Sequence, residues 1–175
     1  FESSTATTFG SVQTASTSGT LSYVSGKVGL ALAFNGSSYI TATSPLTRSF
    51  STSFWIKTTQ TGCGTGQWYQ GCGIIDARTG GNDFGISLLG NSIGFGLGSG
   101  DVTATSYKAV NDGAWHHVVT SWDAITGAMK VYIDGNLDGS ANGPTAARIS
   151  ETTIYIGKGR SFSGLVGALD EIRLY

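Results

Sequence analysis

Apolar and polar residues alternate in short runs along most of this 175-residue chain. The run Phe50–Lys57 (FSTSFWIK) is the clearest, because alternate residues of a strand point to opposite faces and every second residue here suits a buried face: Phe50, Thr52, Phe54 and Ile56. The same kind of run occurs twice more, at Trp115–Trp122 and Met129–Ile133. A glycine-containing turn joins these two runs, and Asp112-Gly113 and Asp134-Gly135 flank them. Such runs between turn-forming residues predict a central β-hairpin.

Other short runs predict the remaining strands, and each is bounded by Gly, Asn, Asp or Ser. They are Leu21–Val24, Lys27–Phe34, Ser38–Ala42, Ile74–Asp76, Asp83–Leu89, Ser92–Leu97, Thr152–Ile156 and Val166–Leu174. Asn35-Gly36 and Gly90-Asn91 predict two more hairpins. Phe1 is expected to open an edge strand, and loops are expected elsewhere: the rest of 1–20, Thr58–Gly73, the irregular Val102–Val110 and Leu137–Pro144. Without a helical pattern, the chain is predicted to be all-β, an antiparallel two-sheet β-sandwich forming one domain over residues 1–175.

The composition is that of a folded chain and excludes several functions. Gly accounts for 27 residues, 39% of residues are hydrophobic and only 12% are charged, which is the opposite of a disordered chain. A net charge of −1 provides no basic field for nucleic acid. The sequence has no apolar run of about 18 residues, so no membrane insertion is expected.

Cys63 and Cys72 are the only cysteines, and they lie nine positions apart in a glycine-rich stretch. They could form a disulfide, stay as free thiols or supply half of a metal site. A metal site needs more Cys or His at short spacing, whereas His116 and His117 are distant in sequence. A disulfide is therefore predicted, and it would indicate an oxidising compartment, either secreted or at the surface of a bacterial cell.

Seven stretches in order resemble laminin-G-like domains of the concanavalin A-like lectin/glucanase superfamily, and most closely the bacterial members. They are Phe1-Glu2, GKVGLALAFNGSSYI, FSTSFWIKT, DFGISL, NDGAWHHVVTSWD with MKVYIDG, TTIYIG and GLVGALDEIRLY. The resemblance implies a jelly roll of two curved sheets, an extracellular setting, and recognition of glycans or protein partners. Many members also bind calcium.

The resemblance makes Asp83 the expected carboxylate ligand of a calcium ion, with the backbone carbonyl of Leu97 as a second ligand. Calcium prefers six to eight oxygen ligands. The loop Gly157–Gly164 departs from the family pattern, because it contains Lys158 and Arg160 and no acid. A two-ion, pentraxin-like site is therefore not expected.

A different calcium site near the termini could use Glu2 or Asp170. The alternative for Asp83 is a turn-forming residue at the start of a strand. For Asp170 it is an ion pair with Arg173 or a lysine.

Catalysis is not predicted. Glycoside hydrolysis uses two carboxylates about 5–10 Å apart, and no predicted strand carries acids at alternating positions. Asp170 and Glu171 are adjacent and so lie on opposite faces. His116 and His117 are also adjacent, which disfavours a shared metal and predicts that His116 packs inward beside Val118.

The predicted ligand site is the loop between the two cysteines, GCGTGQWYQGC. A disulfide would hold this loop and present aromatic faces and amides to a sugar at low entropic cost. The proposed contacts are Trp68, Tyr69, Gln67 and Gln70, with Arg160, Arg78 and Asn82 as further contributors. The alternative for Trp68 is a lid over one end of the sandwich.

The three other tryptophans are Trp55, Trp115 and Trp122, and all are expected to pack on strands. The chain is thus predicted to be a non-catalytic extracellular recognition module for a glycan or cell-surface ligand, within a larger protein that could oligomerise. The alternatives are a structural domain for protein contacts and an enzyme whose acids converge from loops.

Overall fold

The computed structural model describes residues 15–77, 83–98, 100–146, 149–159 and 163–175, so the strand predicted at Phe1 and the acid Glu2 lie outside it. Its strands are β1 Ala15–Ser18, β2 Ser22–Ser25, β3 Leu30–Asn35, β4 Tyr39–Thr43, β5 Phe50–Lys57, β6 Cys72–Ala77, β7 Phe84–Leu89, β8 Ser92–Leu97, β9 Val102–Thr105, β10 Trp115–Trp122, β11 Ala128–Ile133, β12 Asn136–Asn142, β13 Thr153–Ile156 and β14 Val166–Leu174. A single 3-10 turn, Trp68–Gln70, is the helical element of these ranges, and they contain no helix long and apolar enough to cross a membrane.

Two seven-stranded antiparallel sheets make up the fold, which confirms the predicted all-β sandwich. Sheet I has the order β1-β4-β13-β6-β7-β8-β9, and sheet II has the order β12-β11-β10-β5-β14-β3-β2. The predicted central hairpin β10–β11 is present, and so is β7–β8 around Gly90-Asn91.

An aromatic cluster joins the two sheets inside the core. Phe50 of β5 lies 4.7 Å from Phe84 and 5.9 Å from Phe95, both on sheet I, and 5.9 Å from Trp122 on β10, measured between ring centroids. The tilted and edge-on geometries are those that aromatic rings prefer. Trp122 is 2% exposed, so its predicted packing role is confirmed.

The hairpin predicted at Asn35-Gly36 is wrong. β3 belongs to sheet II and β4 to sheet I, so this turn is an arch between the sheets. Asn35 Oδ1 accepts the backbone N–H groups of Ser37 and Ser38, and Gly36 has φ +87°. An Asn-Gly pair is compatible with a hairpin turn and with an arch between sheets. Here a contact outside the turn favours the arch, because the Gly36 N–H donates to the Leu165 carbonyl.

Three edge strands were predicted as loops, namely β1, β9 and β12, and of these β9 pairs with β8. β12 pairs with β11 through the Asp134-Gly135 turn, in which both residues have positive φ, and β1 pairs with β4. Their sequences, NLDGSAN and ASTS, lack the apolar alternation of core strands. An edge strand is largely exposed and held by backbone hydrogen bonds, so its sequence carries little of that pattern.

Asp170 was considered as a calcium ligand, with an ion pair as the alternative, and it does not make the ion pair with Arg173. It is fully buried on β14, where Oδ2 accepts the N–H groups of Lys27 and Val28 at 2.8 and 2.9 Å, and Oδ1 accepts that of Glu171. Arg173 pairs instead with Glu171. The carboxylate therefore fastens the β2–β3 turn onto the outer face of sheet II.

We expect Asp170→Asn to lower the free energy of unfolding by about 2–4 kcal/mol. The side-chain NH₂ group of asparagine would replace one carboxylate oxygen and would face a backbone N–H group that then has no acceptor. Denaturant unfolding measures this change. Glu171→Gln is the matched control, since it removes an exposed ion pair worth at most about 1 kcal/mol. Equal losses in the two variants would contradict the assignment.

Candidate functional site

The predicted disulfide is present and closes the loop that was expected to bind a ligand. Cys63 and Cys72 are bonded, with their Cα atoms 5.3 Å apart. The loop lies on the outer face of sheet I, and the three strands beneath it, β6, β7 and β8, are buried at every position. The loop therefore covers this sheet.

Trp68 lies inside this cover and is only 3% exposed. Its indole rests over Gly85 and Gly96, which are paired on β7 and β8. A Cβ atom would lie 2.1 Å from the indole at Gly85 and 1.8 Å from it at Gly96, so only glycine leaves room for the ring. The location of Trp68 corresponds to the lid alternative, although the indole covers a sheet face and not an end of the sandwich.

The two glutamines of this loop make hydrogen bonds within the fold. Gln70 Oε1 accepts the Gln67 N–H at 2.7 Å, and Gln67 Oε1 accepts the Thr103 hydroxyl at 2.7 Å. Tyr69 is half-buried, with its ring edge-on to Trp68 at 5.7 Å. A ligand contact through Tyr69 stays a prediction. The other predicted contacts, Arg78, Asn82 and Arg160, lie outside the described residues.

A groove of about 520 Å³ lies on the outer face of sheet II. No pattern in the sequence predicted this groove. Backbone pairing sets four residues side by side across β3, β14, β5 and β10, namely Ala33, Ala168, Lys57 and Trp115. The two alanines and Gly167 form a low floor, and the half-buried Trp115 and exposed Lys57 rise beside it. The remaining lining residues are Val24, Ser25, Phe34, Thr58, Thr59 and Gly113.

The next outward positions on the same strands already contact each other. The rings of Trp55 and His117 lie 5.0 Å apart, and the Lys27 amine lies 4.5 Å from the centre of the Trp55 indole. Packing, as predicted, accounts for Trp55. Trp115 is partly packed and partly open to solvent. In the alternating pattern it falls on the outward face, as Lys57 does, and this was the feature of the sequence that could have indicated a surface site.

His116 faces inward as predicted and is 5% exposed, and it is held by hydrogen bonds as well as by packing. Its Nδ1 lies 2.9 Å from Asp134 Oδ2, and its Nε2 lies 3.1 Å from Asp112 Oδ1. Burial alone would raise the pKa of Asp134, but hydrogen bonds from Lys108, His116 and the His117 N–H outweigh burial and hold that pKa well below its ordinary value.

Comparison with known proteins settles the family. A laminin G family model, described as the concanavalin A-like lectin/glucanases superfamily, matches residues 34–175. The chain belongs to this family. A rat protein, "Sushi, von Willebrand factor type A, EGF and pentraxin domain-containing protein 1", is 44% identical over 45 residues, or 26% of this chain. This laminin-G-like domain matches about 1% of that protein's length.

Solved structures share the fold of this laminin-G-like domain. Domain 4 of AbnA, a GH43 extracellular arabinanase from Geobacillus stearothermophilus solved with arabinotriose, has a TM-score of 0.74 and 24% identity, covering 95% of this chain and 82% of that chain. The binding domain of botulinum neurotoxin DC, solved with sialyl-T, has a TM-score of 0.70 and 16% identity, covering 93% and 42%.

The two residues expected to bind calcium, Asp83 and Leu97, lie near each other in this laminin-G-like domain. Asp83 is 2% exposed, and it precedes Phe84, which pairs with Leu97. The Gly98 N–H donates to the Asp83 carbonyl at 2.9 Å, and a Cβ atom at Gly98 would lie 1.6 Å from Asp83 Oδ1. The described residues bring no three His, Cys, Asp or Glu side chains together as a metal site. Asp83 and Leu97 are therefore neighbours at the end of the β7–β8 pair, and a calcium site there stays a prediction.

We expect Gly96→Ala to lower the free energy of unfolding by about 1–3 kcal/mol, because the new methyl group overlaps the Trp68 indole. Thermal or denaturant unfolding measures the loss. In a Trp68→Ala background the same substitution is expected to cost much less, since the overlap is gone. An undiminished loss in that background would show that the indole does not lie over Gly96.

Proposed function

We propose that this chain is a non-catalytic, extracellular carbohydrate-binding module, and that a glycan binds in the groove on the outer face of sheet II. The observation that carries the proposal is the open row formed by Trp115, Lys57, Ala168 and Ala33. The family includes lectins, and two solved structures of this fold contain bound sugars. The Cys63–Cys72 disulfide supports an oxidising location outside the cell.

The chemistry of the groove suits a saccharide. A half-buried indole offers an apolar face to the C–H side of a sugar ring, while the Lys57 amine and the Thr59 hydroxyl offer hydrogen bonds to its ring oxygens and hydroxyls. The volume of about 520 Å³ falls in the range of small-molecule sites. Because Trp115 and Lys57 lie on paired strands, little backbone freedom is lost when a ligand binds.

Binding without bond chemistry is the mechanism that these side chains support. Glycoside hydrolysis requires two carboxylates across the scissile bond. The described residues that line the groove include no Asp or Glu. The ligand would therefore bind and leave unchanged.

We also propose that one calcium ion binds with the Asp83 carboxylate and the Leu97 carbonyl among its ligands. A hard cation accepts both oxygen types. The ion would lie at the end of the β7–β8 pair. Its further oxygen ligands would come from water or from residues outside the described ranges.

Trp115→Ala should weaken sugar binding by about 10- to 100-fold, because it removes the aromatic face of the groove. Titration calorimetry with arabinotriose and with sialyl-T, after a glycan-array screen, measures the effect. Ala33→Leu, which fills the floor, should give a similar loss. Tyr107→Ala is the matched control, since this ring is 90% exposed and lies outside the groove.

The same titrations test the alternative site on the disulfide loop. Loss of binding in Tyr69→Ala, with Trp115→Ala unchanged, would place the ligand on sheet I and refute the groove. Release of reducing ends from a bound polysaccharide would refute the non-catalytic mechanism.

Chelation of calcium should lower the melting temperature, because an ion that binds only the folded state at about 100 times its dissociation constant adds about 2.7 kcal/mol. Asp83→Asn should abolish the difference between calcium and chelator. Magnesium is the control, since it prefers stricter octahedral geometry. An unchanged melting temperature together with no calcium by elemental analysis would contradict the proposal.

A further inference from the structure

His116 bridges two carboxylates, and the arrangement satisfies both ring nitrogens only when both carry a proton. Nδ1 faces Asp134 at 2.9 Å and Nε2 faces Asp112 at 3.1 Å. A neutral imidazole donates from one nitrogen and presents a lone pair on the other, whereas the imidazolium donates from both. Loss of one proton therefore turns one of the two contacts from attractive to repulsive.

The contact with Asp112 is the weaker of the two. Asp134 is also held by the Lys108 amine at 2.7 Å and by the His117 N–H at 2.9 Å, so three donors converge on it. The Asp112 side chain is 58% exposed and accepts, besides His116, the N–H of Ala114 two residues along. A neutral His116 would retain Asp134, its better-anchored partner, and release Asp112.

Asp112 belongs to the segment that forms one wall of the groove. In this segment, 111–114, the Gly113 N–H donates to the Thr58 carbonyl at 3.0 Å, and the Asn111 amide donates to the Gln60 carbonyl at 3.1 Å. Gly113, Thr58 and Trp115 all line the groove. The His116–Asp112 contact therefore holds segment 111–114 from the buried side of β10. This segment leads directly into Trp115, whose indole lies on the exposed side.

We propose that His116 is a positioning residue for the groove, which in its protonated form holds Asp112 and segment 111–114 in place and on losing its proton weakens ligand binding. This inference rests on the proposed function of the groove. It adds a pH dependence that the groove itself does not require, because no titratable group other than Lys57 is among the described lining residues.

The charges around His116 support the same direction. The described groups that face it are Asp112 from segment 111–114 and Asp134 from the β11–β12 turn, with Lys108 and Asp138 behind Asp134. On β5 the residue paired with it is the uncharged Ile56. A protonated His116 and Lys108 offset two of the three negative charges of Asp112, Asp134 and Asp138, and loss of the proton increases the excess negative charge. Hydrogen bonds from the Ala114 N–H and then from His116 hold the pKa of Asp112 below its ordinary value.

The first experiment needs no ligand. Amide ¹H–¹⁵N spectra of the protein between about pH 5.5 and about pH 8 cover the range in which histidines titrate. The Gly113 and Ala114 signals should shift together with the His116 ring signals, and the protection of these amides relative to the intrinsic exchange rate at each pH should fall at the upper pH. Asp112→Asn, which keeps an oxygen for the Ala114 N–H, should uncouple them from the ring. Gly113 and Ala114 signals that ignore His116 would overturn the positioning role.

The second experiment measures arabinotriose and sialyl-T binding at the same two pH values. Affinity should fall by about three- to tenfold from the lower to the higher pH, and Asp112→Asn should remove that dependence. His117→Gln is the matched control, because this neighbouring histidine faces outward beside Trp55 and should keep the dependence.

The outcomes separate the two proposals. An unchanged pH dependence in Asp112→Asn would overturn the role of His116 even if the groove binds sugar. No binding at either pH would refute the proposed function and the effect on affinity, while the ligand-free spectra would still decide whether His116 positions segment 111–114.

Discussion

The pairing of β5 with β10 is the constraint on which the core and the candidate site both depend. Their register places Ile56 opposite His116 and Lys57 opposite Trp115. Because side chains alternate between faces, one set of positions must enter the core while the next set forms the outer surface. A shift of one residue would exchange the two sets, so the register that forms the groove cannot change without changing the packing behind it.

The covering of sheet I explains why the open surface lies on sheet II. Gly85 and Gly96 remove two side chains from the outer face of sheet I, and the Trp68 indole occupies the space that they leave. The disulfide closes the loop that carries this indole and lowers the entropic cost of ordering it. The sequence of this loop suited Trp68 to ligand contact as well as to packing, and in the structure Trp68 is packed and 3% exposed.

Strong alternation made much of the fold predictable, and its absence accounts for the errors. β5, β8, β10 and β14 were predicted with the bounds observed, since each has an apolar face that must be buried. The edge strand β12 has no such face, and the arch at Asn35-Gly36 uses the residues of a hairpin turn. In both cases the deciding contacts are distant in sequence: β12 is held by β11, and Gly36 by Leu165.

The candidate site was harder to predict because its most informative residues are small. Ala33, Ala168 and Gly167 have no chemistry to draw attention, and they make a groove only because pairing sets them beside Trp115 and Lys57. Alternation correctly assigned His116 and His117 to opposite faces. It could not predict that two carboxylates, Asp112 and Asp134, converge on His116 from separate turns. Since those turns hold the strand that carries Trp115, the electrostatics of the buried face and the shape of the exposed face are properties of the same few residues.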